Sequence, residues 1–279
     1  MTGRCWQAWG LALAGWALAK GVLAAPPPAC MDCHADQALA RRTEYRSGTV
    51  VGVDPAVLAA SVHTGLQCAD CHVGVGAEHA AHLSAVRCGG CHEEEQTVYA
   101  QSIHGRALAE GNADVPTCAS CHGGHAIAAK GNPASRLSAR NLPQTCASCH
   151  EEERLATRYG MAQRRYSTYL DSYHGVVNRY GEAAVANCAS CHGVHDIRPS
   201  SDPASSINPA NLGKTCGVCH PGAEGGFAGI KIHVEATRES SRGMYYVRTF
   251  YVYFTGLLVL CFAAYIAVEV YGFLRRREK

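Results

Sequence analysis

Cys118-Ala-Ser-Cys-His-Gly-Gly-His125 is the stretch that decides the fold, and it returns almost unchanged as Cys188-Ala-Ser-Cys-His-Gly-Val-His195. Its core, Cys-x-x-Cys-His, occurs seven times in 279 residues. Two thiols one helical turn apart can bond to the two vinyl groups of one porphyrin, and the histidine that follows can bind the iron. The spacing therefore predicts seven covalently attached c-type haems.

The fourteen motif cysteines are the predicted attachment sites: Cys30, Cys33, Cys68, Cys71, Cys88, Cys91, Cys118, Cys121, Cys146, Cys149, Cys188, Cys191, Cys216 and Cys219. The seven motif histidines are the predicted first axial ligands: His34, His72, His92, His122, His150, His192 and His220. Paired cysteines also build zinc sites and disulfide frameworks, but neither explains a histidine directly after every pair. No catalytic residue is predicted.

Eight of the 15 histidines lie outside the motifs, and they are the predicted second axial ligands. One follows each motif before the next motif begins, with His79 and His82 competing for a single place. Together with the seven motif histidines, these residues are numerous enough to give each of seven irons two histidine ligands. His125 and His195 lie three residues past a motif histidine, too close to reach round the same porphyrin, so we expect them to bind neighbouring haems. The eight are His63, His79, His82, His104, His125, His174, His195 and His233.

A duplication organises the haem-binding part of the chain. Ser102-Ile-His-Gly105 and the motifs at 118–122 and 146–150 recur 70 residues later, in two-haem modules at about 102–150 and 172–220. Residues 26–240 should form one heptahaem domain that is mostly α, with little regular secondary structure and stacked haems filling most of the interior. One longer helix is expected over residues 151–172, and no sustained alternating pattern predicts a strand.

Both ends of the chain point to a membrane. Residues 1–25 have the basic start, apolar middle and small-residue end of a signal peptide. Residues 249–268 carry no charge and are long enough to cross a bilayer, within a predicted transmembrane anchor at 244–274. Arg275, Arg276, Arg277 and Lys279 then place residues 275–279 in the cytoplasm. We expect a single-pass protein of the inner membrane whose haem domain faces the periplasm.

Charge argues against nucleic acid as a partner. The formal charge is +2, and roughly fourteen haem propionates would make the loaded protein acidic.

The chain resembles membrane-anchored multihaem c-type cytochromes of the cytochrome c3-like class. The resemblance rests on Ser-x-His-Gly before a haem motif, on Cys-His-Gly-x-His at 121–125 and 191–195, and on Cys219-His-Pro-Gly-Ala223 leading to His233. It implies electron transfer between a membrane quinone pool, or a membrane cytochrome b-like partner, and periplasmic redox proteins. The alternatives are a reductase or dehydrogenase of a small nitrogen or sulfur oxyanion, and a quinol dehydrogenase in its own right.

Overall fold

The computed structural model describes residues 29–35, 52–76, 79, 83–182, 184–223 and 231–277. Within these ranges the chain forms helices and no strand, which confirms the predicted mostly α fold. The described residues divide into two compact units: one holds those before Pro55 together with residues 67–83, and the other holds residues 55–66 and those from Ser84 onward. The predicted signal peptide at 1–25 lies outside the described residues.

All but one of the described helices are short. The first unit holds Ala29–His34 and Cys68–Cys71. The second holds Pro55–Ala59, the 3-10 helix Cys88–Gly90, Glu93–Gln101, Ile103–Ala109, Cys118–His122, Leu142–His150, Glu153–Tyr159, Arg165–Leu170, Tyr173–Arg179, Cys188–His192, Leu212–Gly217 and Arg242–Arg277. Helices of this length are not stable alone in water, so their stability must come from capping and packing.

Capping explains how five-residue helices form around the haem motifs. The helix Cys118–His122 begins with a capping box, in which the Ser120 hydroxyl accepts a hydrogen bond from the Thr117 amide at 3.0 Å. Gly123 ends the helix at φ +88°, a conformation that a side chain would disfavour. The copy at Cys188–His192 has the same two ends, which shows that the repeated sequence encodes a repeated local structure.

The connector between the two motifs of a module is held by one asparagine. Asn141 Nδ2 donates to the carbonyls of Pro133 and Ser135 at 2.8 and 2.9 Å. Its repeat partner Asn211 donates to the carbonyls of Pro203 and Ser205 at the same two distances. The duplication seen in the sequence is therefore a duplication of structure.

The single helix expected over 151–172 is wrong. The chain forms two helices there, Glu153–Tyr159 and Arg165–Leu170, separated by Gly160 in the left-handed region at φ +61°. Glu151 provides the physical reason, because its carboxylate accepts hydrogen bonds from the amides of Tyr166 and Ser167. The chain must fold back after Gly160 to bring the start of the second helix to that carboxylate.

Few apolar side chains are buried within the described ranges. They are Leu142, Ala147, Leu155, Ala156, Tyr169 and Ala223. So small a protein core agrees with an interior that depends on prosthetic groups.

The C-terminal helix Arg242–Arg277 has 36 residues and an apolar window with mean hydropathy 2.2. It is the one helix in the described part of the chain that is long and apolar enough to cross a membrane, and that window is not buried against the rest of the protein. It contains the whole predicted anchor, 244–274.

Candidate functional site

The motif cysteines are available for attachment. None of the described cysteines forms a disulfide. Where a whole motif forms an α-helix, as at Cys118–His122, the two thiols leave the helix about one turn apart, as attachment to one porphyrin requires.

Histidines meet in pairs throughout the described structure. Each pair joins one motif histidine to one of the predicted second ligands. The ring centroids lie 5.9 Å apart for His34 and His79, 6.0 Å for His63 and His92, 6.1 Å for His104 and His150, 6.0 Å for His122 and His195, 6.1 Å for His174 and His220, and 6.4 Å for His192 and His233.

These separations fit one metal ion between two imidazoles. A histidine nitrogen binds a transition metal at about 2 Å and lies about 1 Å from its ring centre, so two axial rings on one iron have centroids about 6 Å apart. Rings in direct van der Waals stacking would lie closer together. The six separations, together with thiols of the same motifs, are therefore what two-histidine ligation of covalently attached haem requires.

Five of the six described pairs follow a rule, and His233 with His192 is the exception. In each two-haem module, the histidine of the Ser-x-His segment meets the second motif of that module, as His104 meets His150. The histidine that follows the first motif reaches back to an earlier motif, as His195 meets His122. This second kind of pair joins one module to the next, as expected for a histidine three residues past its own motif.

Six of the eight predicted second ligands are brought beside a motif histidine. Of the two that competed for one place, His79 lies against His34, and His82 lies outside the described residues. His125 and the motif residue His72 each have interaction partners as well.

The Ser-x-His-Gly segment has a structural role for each of its fixed residues. Ser102 caps the helix Ile103–Ala109 by accepting a hydrogen bond from Gly105 N at 3.0 Å, and His104 projects from the first turn. A Cβ at Gly105 would lie 2.0 Å from the carbonyl oxygen of Tyr99, so only glycine lets this turn pack so closely. The segment therefore holds its histidine on a rigid, tightly packed turn.

The copy of this segment in the second module repeats the geometry. Ser172 accepts from Gly175 N at 3.2 Å, and a Cβ at Gly175 would lie 2.0 Å from the carbonyl oxygen of Tyr169. The sequence pattern alone marked these positions as repeated but did not show why serine and glycine are needed.

Successive attachment sites touch. Hydrogen bonds join the first thiols of neighbouring motifs, Cys88 to Cys118 and Cys146 to Cys188. The hydrogen bond that the Cys146 thiol donates to Cys188, followed by burial, raises the pKa of the Cys146 thiol. Burial, followed by the nearby thiol of Cys146, raises the pKa of Cys121. The four haem motifs that begin at Cys88, Cys118, Cys146 and Cys188 therefore lie next to one another in space in the same order as in the sequence.

Burial lowers the pKa of six of the paired histidines: His104, His122, His150, His174, His192 and His233. Burial, followed by the charge of the neighbouring His150, lowers the pKa of His104 to about 4. Burial, followed by His233, lowers the pKa of His192 to about 4. A neutral imidazole offers a nitrogen lone pair at physiological pH, which is the form that binds a metal.

One contact at these histidines was not predicted from the sequence. Thr168 Oγ1 lies 3.1 Å from His233 Nδ1, across 65 residues of chain. The one available signal was a break in the repeat, because the residue 70 positions earlier is Val98.

Residues 60–151, about a third of the chain, match the sequence profile of the cytochrome c3 family. A search of curated proteins and a search of solved structures each found no match. The matched residues include two complete histidine pairs, His63 with His92 and His104 with His150, and two complete copies of the Ser-x-His segment. The match supports a multihaem electron-transfer role with covalently bound c-type haem.

Proposed function

We propose that this protein is a membrane-anchored heptahaem cytochrome that carries electrons between a membrane quinone pool, or a membrane cytochrome partner, and periplasmic redox proteins. The fourteen motif cysteines would attach seven haems, and two histidines would bind each iron. The observation that carries the proposal is the pairing of six motif histidines with six other histidines at about 6 Å.

Two-histidine ligation favours electron transfer over catalysis. A haem iron with both axial positions filled exchanges single electrons, at a low potential, without exchanging a ligand. An oxyanion reductase needs one iron with an open position beside acid/base and cationic groups. In each described pair, the second histidine would occupy the axial position that a substrate would need.

The helix Arg242–Arg277 supports a membrane location. Its apolar window is long enough to span a bilayer, and Tyr245 and Tyr246 near its start suit an interface. Arg275, Arg276 and Arg277 at its other end favour a cytoplasmic tail, which would place the haem domain in the periplasm. His233 pairs with His192 only nine residues before this helix begins, so the membrane and one haem site would be closely tied.

The test uses native membranes that contain the full chain. Reducing the quinone pool should reduce the haems, and an inhibitor of the quinone-reactive partner should stop that reduction. A soluble periplasmic fraction should then reoxidise them. Rapid reoxidation of the purified protein by nitrite or sulfite alone would instead show an enzyme and would contradict the proposal.

A further inference from the structure

The hydrogen bond between Thr168 and His233 has a defined direction. Thr168 is 4% exposed, and its Oγ1 lies 2.6 Å from the carbonyl oxygen of Arg164 and 3.2 Å from that of Arg165. Because the hydroxyl has one proton and a carbonyl can only accept, the hydroxyl donates to the Arg164 carbonyl. Its oxygen lone pair is then free to accept from the Nδ1–H of His233 at 3.1 Å.

This direction determines which nitrogen of His233 carries the proton. A lone pair that accepts a hydrogen bond from Nδ1 requires the proton to be on that nitrogen. The Thr168 hydroxyl therefore requires Nδ1–H on His233, which leaves the Nε2 lone pair for a metal. His233 and His192 have ring centroids 6.4 Å apart, so Nε2 is the nitrogen available to an iron shared with His192.

A second contact holds the same segment of chain. Arg164 Nη1 lies 3.8 Å from Glu235 Oε2, two residues beyond His233. The helix Arg165–Leu170 and the residue before it thus contact the chain at His233 and Glu235, shortly before the membrane helix. The first contact is to the His233 ring itself, and the second is to a side chain two residues beyond it.

We infer that Thr168 is a positioning residue for His233, and that it lowers the reduction potential of the haem attached at Cys188 and Cys191. The inference rests on the proposed two-histidine ligation. A hydrogen bond accepted from Nδ1–H fixes the ring orientation and makes the imidazole a stronger electron donor, which favours the ferric state. The effect is specific to this module, because the preceding repeat has Val98 at the corresponding place.

The decisive variant is Thr168→Val in the full-length, haem-loaded protein. Valine has nearly the same shape and is the residue that the other repeat uses in its own helix, so the variant should fold and carry all its haems. We expect one haem to move to a more positive midpoint potential in a redox titration, with a changed low-spin EPR signal for one iron. Thr168→Ser, which keeps the hydroxyl, should restore both.

The matched control is Ser167→Ala. The Ser167 hydroxyl donates to the same Arg164 carbonyl at 3.2 Å, but its residue is only partly buried and its hydroxyl bonds to Arg164 rather than to His233. It should leave every potential unchanged. Unshifted potentials in Thr168→Val, or equal shifts in Thr168→Val and Ser167→Ala, would overturn the inference. A high-spin iron in the unmodified protein would instead refute the proposed ligation, so the two failures are distinguishable.

Discussion

Gly175→Ala tests how tightly the fold holds an axial histidine. A Cβ at this position would lie 2.0 Å from the carbonyl oxygen of Tyr169 and 2.7 Å from the Cα of Leu170. Real Cβ contacts essentially never fall below 3.0 Å, so the helix Tyr173–Arg179 must move by at least about 1 Å. The obstacle is backbone, which cannot swing away as a flexible side chain can.

The displacement should act on both ligation and stability. A metal ligand tolerates errors of about 0.2 Å, so a shift of about 1 Å should detach His174 from the iron that it would share with His220. Overpacking of this kind costs about 1–3 kcal/mol, and each kcal/mol lowers the melting temperature of a domain this size by about 2–4 °C. We expect one haem to become high spin in EPR and optical spectra, and the melting temperature to fall by several degrees.

Gly131→Ala is the matched control, because a Cβ there meets nothing within 4 Å and its φ is not positive. It should change neither the spin state nor the melting temperature. Gly105→Ala should repeat the effect at the haem of His104 and His150, since its Cβ would lie 2.0 Å from the Tyr99 carbonyl oxygen. If Gly175→Ala kept every iron low spin and melted with the parent protein, the account of the Ser-x-His-Gly turn would be refuted.

Three further predictions follow from other parts of the chain. His104→Ala should convert one haem to high spin while leaving its thioether bonds intact, as spectra and denaturing mass would show; unchanged ligand fields would contradict the assignment. Truncation after Ser240 should release a soluble protein that keeps all its haems. Membranes with a reduced quinone pool should no longer reduce this protein efficiently, and full reduction would show that the helix is only a tether. Hydrogen bonds from the Tyr159 hydroxyl and then from the Arg154 guanidinium lower the pKa of Asp114 from its usual value of 3.8. The ionised carboxylate therefore stabilises the fold above pH 3.8, and this stabilisation is lost as the pH falls through the lowered pKa. Acid unfolding should therefore be less steep in Asp114→Asn, and an unchanged profile would argue against these contacts.

Much of the site could be anticipated because haem chemistry is local in sequence. Two thiols and a histidine must lie within five residues, so the motif reveals each attachment site. The duplication then indicates which histidines have equivalent roles, as with His104 and His174. The structure places both of these beside a motif histidine of the same module.

What could not be anticipated depends on contacts between distant residues. The break at Gly160 follows from the carboxylate of Glu151, which binds amides 15 and 16 residues away. His79 and His82 are equivalent in pattern, and only the folded chain brings His79 to His34. Thr168 meets His233 across 65 residues, a separation that no local pattern records.

Spin-state quantitation of the oxidised, full-length protein tests the central claim most directly. The haem content of the same sample, from its denaturing mass, gives the number of irons to be accounted for. We predict seven haems for each chain, all of them low spin, because every iron would have two histidine ligands. Fewer than seven haems in fully matured protein, or a substantial high-spin ferric signal, would contradict the account.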